Sequence, residues 1–476
     1  AGAAVWLGGL VALTRIASVV EPARLPVLVR RYSGFALPAA VAVALSGLVS
    51  GGMRLNGPAE LLSTGYGRLL LLKFAALALL LAFGAWHRLR LISSLEKRPA
   101  ANAVFYFRVV VAELAIMGVA FGLAAALGRT APPVPIAAAR DLGGSITPAE
   151  YLTGDPLPPE LHLGAVFTVW KFDLLWSLVS AAGVLFYLLG VARLRRRGDK
   201  WPLGRTASWV SGMLLLGYTT NGFLNAYEAY LFSIHMLGHM LLTMLIPLLL
   251  VLGAPVTLIM RAVPKRDDGS WGVREWVLWL VETPYSRVVT NAVFAAIVFA
   301  VSLWAFYYTP MLRWAMEEHI GHQWMIVHFL LSGYFFALVL IGVDPVPHRP
   351  AFPVRIIVLL ATMGAHAFFG VTIMGSESLL AADWFGAMGR VWGDPPLLDQ
   401  NNGGGIAWGI GELPTLMRVI IVSVQWARAD DKEQRRRDRA EDRSDDAELR
   451  AYNEMLQDYS RSGRASAEFS DRQYGV

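Results

Sequence analysis

FSIHMLGHMLLTMLIPLLLVL, residues 232–252, decides the fold. No charged side chain interrupts it, and its length matches the roughly 20 apolar residues that cross about 30 Å of hydrocarbon. His235 and His239 stand four apart, which puts both imidazoles on one helix face, with Met236, Met240 and Met244 beside them. Comparable apolar windows recur outward in both directions, near 1–19, 33–53, 68–86, 105–127, 169–191, 207–223, 288–308, 323–343, 354–374 and 406–426. A backbone in lipid must satisfy its own polar groups, which helices do within one segment. The expected fold class is therefore all-α: a polytopic transmembrane helix bundle of about 11 spans.

Composition agrees. Of 476 residues, 55% are hydrophobic and 16% charged, too apolar for a water-soluble chain of this length. The net charge of +6 does not point to nucleic acid, because Lys and Arg cluster beside the apolar runs rather than among aromatics. The basic clusters fall in every second link, at 24–31, 87–97, 193–200, 261–274, 348–355 and after 428, as the positive-inside rule requires. The opposite links, 56–66, 129–167, 224–231, 309–322 and 375–405, are then expected to face outward, with the charged C-terminal tail cytoplasmic. The Pro- and Gly-rich stretch around 132–159 divides the expected domains: a four-helix membrane domain over 1–130, an extracytoplasmic linker over 131–165, a seven-helix membrane domain over 166–427, and a solvated tail over 428–476. Ala1 opens within an apolar run, so the natural chain is expected to extend upstream.

There is no cysteine, so soft-metal chemistry within these residues falls to His and Met. With the orientation above, His235 and His239 lie within about two turns of the outer surface. A second helix entering from outside carries His319, His322, Met325 and His328. His366 lies past the midplane of a helix running the other way, with Met374 at its outer exit, and Asp399 could close the set from above. Intramembrane histidines are costly unless they face a cavity, pair or bind something. Any one of them could be an interhelical hydrogen-bond partner and the methionines core filler, but several at one depth read as a metal or cofactor site. Imidazole with thioether suits Cu(I) better than Mg, Ca or Mn; zinc remains open, as does haem held by two axial histidines. Lys73, Glu113, Asp173 and Glu412 are further intramembrane charges, with a structural Lys73–Glu113 pair and a helix-capping Asp173 among their simpler readings.

From 170 to 426 the sequence resembles the CtaG family of cytochrome c oxidase assembly proteins. The blocks that carry this are WKFD (170–173), WPLGR (201–205), FSIHMLGHMLL (232–242), LVLGAPVTL (250–258), HFLLSGYFF (328–336), GVDPVPHRP (342–350) and LLDQNNGGGIAWGIGELP (397–414). The front portion, with AVWLGGLVAL (4–13), TGYGRLLLLKFA (64–75) and FGLAAALGRTAPP (121–133), is similar to the CopD family of copper uptake and resistance. A fusion of the two is a pattern associated with actinobacteria. The resemblance implies that His235, His239, His328, His366 and Asp399 occupy the family's characteristic positions, with His319 and His322 crowding one further position. The CopD histidine expected just before WLGG would precede Ala1.

The expected protein is a non-enzymatic factor in the plasma membrane that takes Cu(I) from an extracytoplasmic donor protein and delivers it to cytochrome c oxidase subunit I. Its expected metal ligands are His235, His239, His328, His366, Asp399, His322, Met236, Met240 and Met374. A copper transporter, a haem-binding oxidoreductase and a structural subunit of a respiratory complex are the alternatives.

Overall fold

The computed structural model describes residues 2–17, 24–52, 54–55, 57–86, 99–130, 146–266, 270–347, 349–444 and 450–462. Every regular element among them is a helix. The basic links 87–97 and 131–145 of the expected linker lie outside the described residues, as does His348.

The chain forms two compact units, 1–145 and 146–476. In the front unit α1 (Gly2–Ala17), α2 (Leu25–Gly52), α3 (Gly65–Trp86) and α4 (Pro99–Gly128) meet around Trp6, Leu10, Leu13, Leu80, Val110 and Met117. The Tyr32 hydroxyl donates to the Trp6 carbonyl at 2.9 Å, and the Trp6 indole bonds the buried carboxyl of Glu113. Lys73 lines a cavity of about 170 Å³ among Ala3, Val43, Leu77 and Phe121.

The rear unit holds α5 (Leu174–Arg196), α6 (Leu203–Asn221), α7 (Phe232–Met240), α8 (Ala292–Tyr308), α9 (His319–Ile341), α10 (Phe352–Met374) and α11 (Pro396–Ser444). Apolar side chains cover their outer faces, among them Leu185, Phe186, Val293, Ile297, Ile357 and Leu360, as lipid-facing helices require. The protein is a multi-pass membrane protein.

Among the described residues every apolar window is largely helical, and eight helices are long and apolar enough to cross a membrane, nine if one bent pair counts as a span. The expected count of about 11 is not confirmed. Gly2–Ile16 is a shorter apolar helix. The sequence of α6 carries Ser, Thr and Asn along its length, and these polar groups serve neighbours: Ser208 Oγ donates to the Leu249 carbonyl at 2.7 Å and Asn221 Oδ1 accepts from the Asp173 amide at 2.7 Å. The bent pair joins α8 to Met311–Glu317 at 72°, where Thr309 and Pro310 break the helix.

Part of the expected linker is built structure. Residues 146–165 fold with the rear unit: Thr147 and Glu150 form a capping box on Pro148–Thr153, Tyr230 Oη bonds Thr153 Oγ1 at 3.1 Å, and Tyr227 Oη donates to the Pro159 carbonyl at 2.9 Å. Two tyrosines of the 224–231 link thus hold this strap in place.

α7 runs into a π turn, Leu241–Leu245, and then Ile246–Leu252. Pro247 has no N–H for the carbonyl of Thr243, four residues back, so the regular ladder cannot continue. Freed carbonyls in lipid need partners. Arg418 of α11, fully buried, donates to the Met244 carbonyl at 2.7 Å. Gly333 of α9 passes so close to the Thr243 carbonyl that a Cβ there would stand 2.0 Å from the oxygen.

Candidate metal centre

Two side chains, Asp399 and Ser233, fix the start of α7. Asp399 accepts from the Phe232 amide at 2.7 Å and from Ser233 Oγ, an N-cap supplied by a different helix. Gly403 and Gly404 let α11 come in beside it: a Cβ at Gly403 would lie 2.6 Å from the Phe232 ring, and one at Gly404 2.4 Å from the Met374 amide. Gly370 of α10 does the same against the Trp408 amide, so α10 and α11 pack backbone to backbone, as small residues allow between membrane helices. The glycines of the NNGGG block thereby bring α7, α10 and α11 together.

On this frame His235, His239 and His366 are 1%, 3% and 5% exposed. Neither nitrogen of His235 or of His366 has a hydrogen-bond partner, nor does Nδ1 of His239; its Nε2 has only a long 3.4 Å approach to Thr243 Oγ1, whose hydroxyl already donates to the His239 carbonyl. Buried polar groups are normally satisfied, so five such nitrogens in one region are the site's defining feature. The walls are aromatic. His235 stacks on Phe306 and meets Tyr307 edge-on, and His239 meets Tyr307 and, at 4.1 Å between ring centres, Phe329. The rings of His235, His328 and His366 are all within electrostatic reach of His239.

Met236, Met240 and Met244 are buried to within 1%. Met240 is the one placed at an imidazole. A Cβ at Gly411 of α11 would lie 2.7 Å from His366 Nε2 and 3.2 Å from Met240 Sδ, so a nitrogen and a sulfur donor face the same gap left by a glycine. Imidazoles without partners, a thioether and a hollow that a methyl would fill suit a soft ion. Among the described residues, however, no three of His, Asp and Glu already converge on one point. The donors are strung out rather than gathered in a closed cage.

The remaining expected residues are placed apart. His328 is half-buried, stacks on Trp324 and leaves Nε2 without a partner on a groove of about 360 Å³ lined by Phe294, Val298 and Leu331. Met374 is 38% exposed at the end of α10. Asp399 has its oxygens on α7. His322 places Nε2 3.2 Å from Glu228 Oε1. His319 is exposed at the head of α9. Asp173 caps α5 through the Trp176 amide and accepts from Gln323 Nε2 at 2.7 Å; Glu412 is exposed on α11.

Sequence reading missed Glu228, Tyr307, Gly411 and Arg418. Glu228 is buried in the link before α7, its strand of chain tethered by Trp384, whose indole donates to the Ala229 carbonyl at 2.8 Å. Burial pushes the Glu228 carboxyl up to about 8, against a smaller opposing pull from Lys171. Tyr307 touches Phe232, His235 and His239 and leaves its buried hydroxyl without a partner. The only sequence signal for Glu228 was a lone acid in an otherwise apolar link.

Comparison with known proteins decides the lineage. Residues 185–429 match the family model of the cytochrome c oxidase caa3 assembly factor, CtaG. The chain belongs to that family. Its front, residues 26–127, matches the model for copper resistance protein D, so the order is CopD ahead of CtaG, as the resemblance implied. Uncharacterised proteins of Mycobacterium bovis and Mycobacterium tuberculosis are each 41% identical over 333 residues, and one of Mycobacterium leprae is 38% identical over 332. Each alignment covers 69% of this chain and 50% of the relative, so the chain spans about half the length of the curated relatives it matches. No solved structure matches it. The histidines of α7, α9 and α10 all fall within the CtaG-matching region.

Proposed function

We infer that this protein is a membrane copper-handling assembly factor, which takes up Cu(I) on the extracytoplasmic side and passes it to subunit I of cytochrome c oxidase. The reading rests on one observation: the imidazoles of His235, His239 and His366 are buried, near one another and without hydrogen-bond partners, with Met240 Sδ at the same gap. The family match supports oxidase assembly, and the CopD match supports copper as the cargo.

The chemistry is binding and release. Neutral imidazole and thioether donors hold Cu(I) without a charge change of their own, and flexible methionine lets the shell rearrange as ligands exchange. No bond is made or broken in a substrate, so the protein acts as a chaperone rather than an enzyme. The ligands are His235, His239 and His366 with Met240. Delivery from an extracytoplasmic donor places α7 and α9 with their N-termini outward and the tail after Trp426 in the cytoplasm, which the alternation of basic links supports.

The test is metal analysis of the purified full chain. His235→Ala with His239→Ala is expected to abolish copper binding while the protein still inserts, and to leave the oxidase of the same cells deficient in copper. Full copper content in that variant, or an equal affinity for zinc in the wild type, refutes the reading.

A further inference from the structure

His235 and His239 are walled by Phe232, Phe306, Tyr307 and Phe329, and His366 by Phe299 and Phe369; a bare cation does not cross such a wall cheaply. One polar pair stands within electrostatic reach of His235. His322, in the first turn of α9, has a side chain 21% exposed, and Glu228, 3.2 Å away, has one 11% exposed. The second oxygen of Glu228 faces α7 at Gly238, between His235 and His239 in sequence; a Cβ there would lie 3.7 Å from Oε2. His322 is within electrostatic reach of His235, and Glu228 of Tyr307, whose ring touches both α7 histidines. Further out, Lys171, which bears on both Glu228 and His322, is held by Asp155 at 2.7 Å.

We propose that His322 and Glu228 form a receiving station, a transient cation site where an arriving ion is held before it passes to His235. The proposal rests on the copper reading above. Every donor of the sealed set is neutral, so the ion's charge has no balance there, and Asp399 is committed to the end of α7. Glu228 is the buried carboxylate that faces the path. A carboxylate is a poor ligand for a soft ion, so its part is charge, favoured in its ionised form by the cation itself; His322 is the ligand. Two groups leave coordination positions empty, which lets the delivering protein keep a ligand on the ion until His235 replaces it.

The test follows copper loading of the full chain in nanodiscs by stopped flow, with Cu(I) supplied as its cationic acetonitrile complex. Glu228→Gln keeps size and hydrogen bonding and removes the charge. It is expected to slow loading about tenfold or more, with the final copper content still reached; Glu228→Asp recovers part of the rate. His322→Asn is expected to slow loading similarly. An unchanged rate in both variants overturns the receiving station, and so does a rate and final content that fall together, which would make Glu228 part of the inner site or of the fold. Wild-type protein that takes up no copper at all would refute the copper reading itself, a result distinct from either.

Discussion

At the scale of the residue, the site depends on what is absent as much as on what is present. Gly411 has no side chain, and in that space His366 Nε2 and Met240 Sδ face one another. Gly411→Ala puts a methyl 2.7 Å from the nitrogen, closer than real contacts permit, and the imidazole must turn away. Copper affinity is expected to fall about tenfold or more, as a misplaced ligand in a two-helix shell implies, while the variant inserts and folds; competition with a chromophoric Cu(I) chelator measures it, and wild-type affinity would show that the gap has no part in binding. The histidines themselves were legible because imidazole is rare and expensive in an apolar run. Gly411 was not, because glycine recurs throughout membrane helices and nothing in GIGELP says which neighbour each one admits. Glu228 stayed hidden for a different reason: its importance comes from a contact with α9 nearly a hundred positions on, which spacing along one helix does not reveal.

Among elements, the quoted CtaG blocks are largely the hardware that orients helices. Asp344 in GVDPVPHRP is fully buried and accepts from the Val256 and Thr257 amides, capping the short helix Pro255–Ala262 that begins in LVLGAPVTL, where Ala254 takes a left-handed φ of 49°. Asp173 in WKFD caps α5, Gln400 in LLDQNN accepts from the Leu380 amide, and Asp399 caps α7. The sequence made these blocks recognisable and the helices legible, but it offered Asp399 as a ligand when its oxygens meet backbone and hydroxyl donors. The two roles separate by substitution. Asp399→Asn keeps an acceptor for the Phe232 amide and is expected to keep full copper content, whereas Asp399→Ala leaves that donor unpaired and is expected to cost about 1–3 kcal/mol of stability. Thermal unfolding in detergent and metal analysis of both variants provide the comparison. Copper lost in the Asn variant at unchanged stability would make Asp399 a ligand after all.

At the scale of the whole molecule, the chain separates into two compact units at residues 145 and 146. What hydropathy could not give was the fate of residues 146–165, because Pro and Gly mark irregular backbone without saying whether it is tethered; Tyr227 and Tyr230 decide that from the other side. Nor could it separate a lipid-facing helix from α6, whose Ser208 and Asn221 spend their polarity on neighbours. The division has an energetic counterpart. Among the described residues, the cores around Trp6 and Tyr66 draw on front residues, and those around Phe232, Tyr227 and Tyr187 on rear ones. Each unit thus buries its own apolar surface, and every residue assigned to copper here belongs to the rear. Residues 146–476 expressed alone are therefore expected to insert, to bind the same amount of copper per chain as the full protein, and to keep its Glu228-dependent loading rate, read by the same stopped-flow measurement. If the rear unit inserts but loads more slowly than the full chain, the CopD-like front takes part in supplying the ion, and the two families joined in this chain act in sequence rather than side by side.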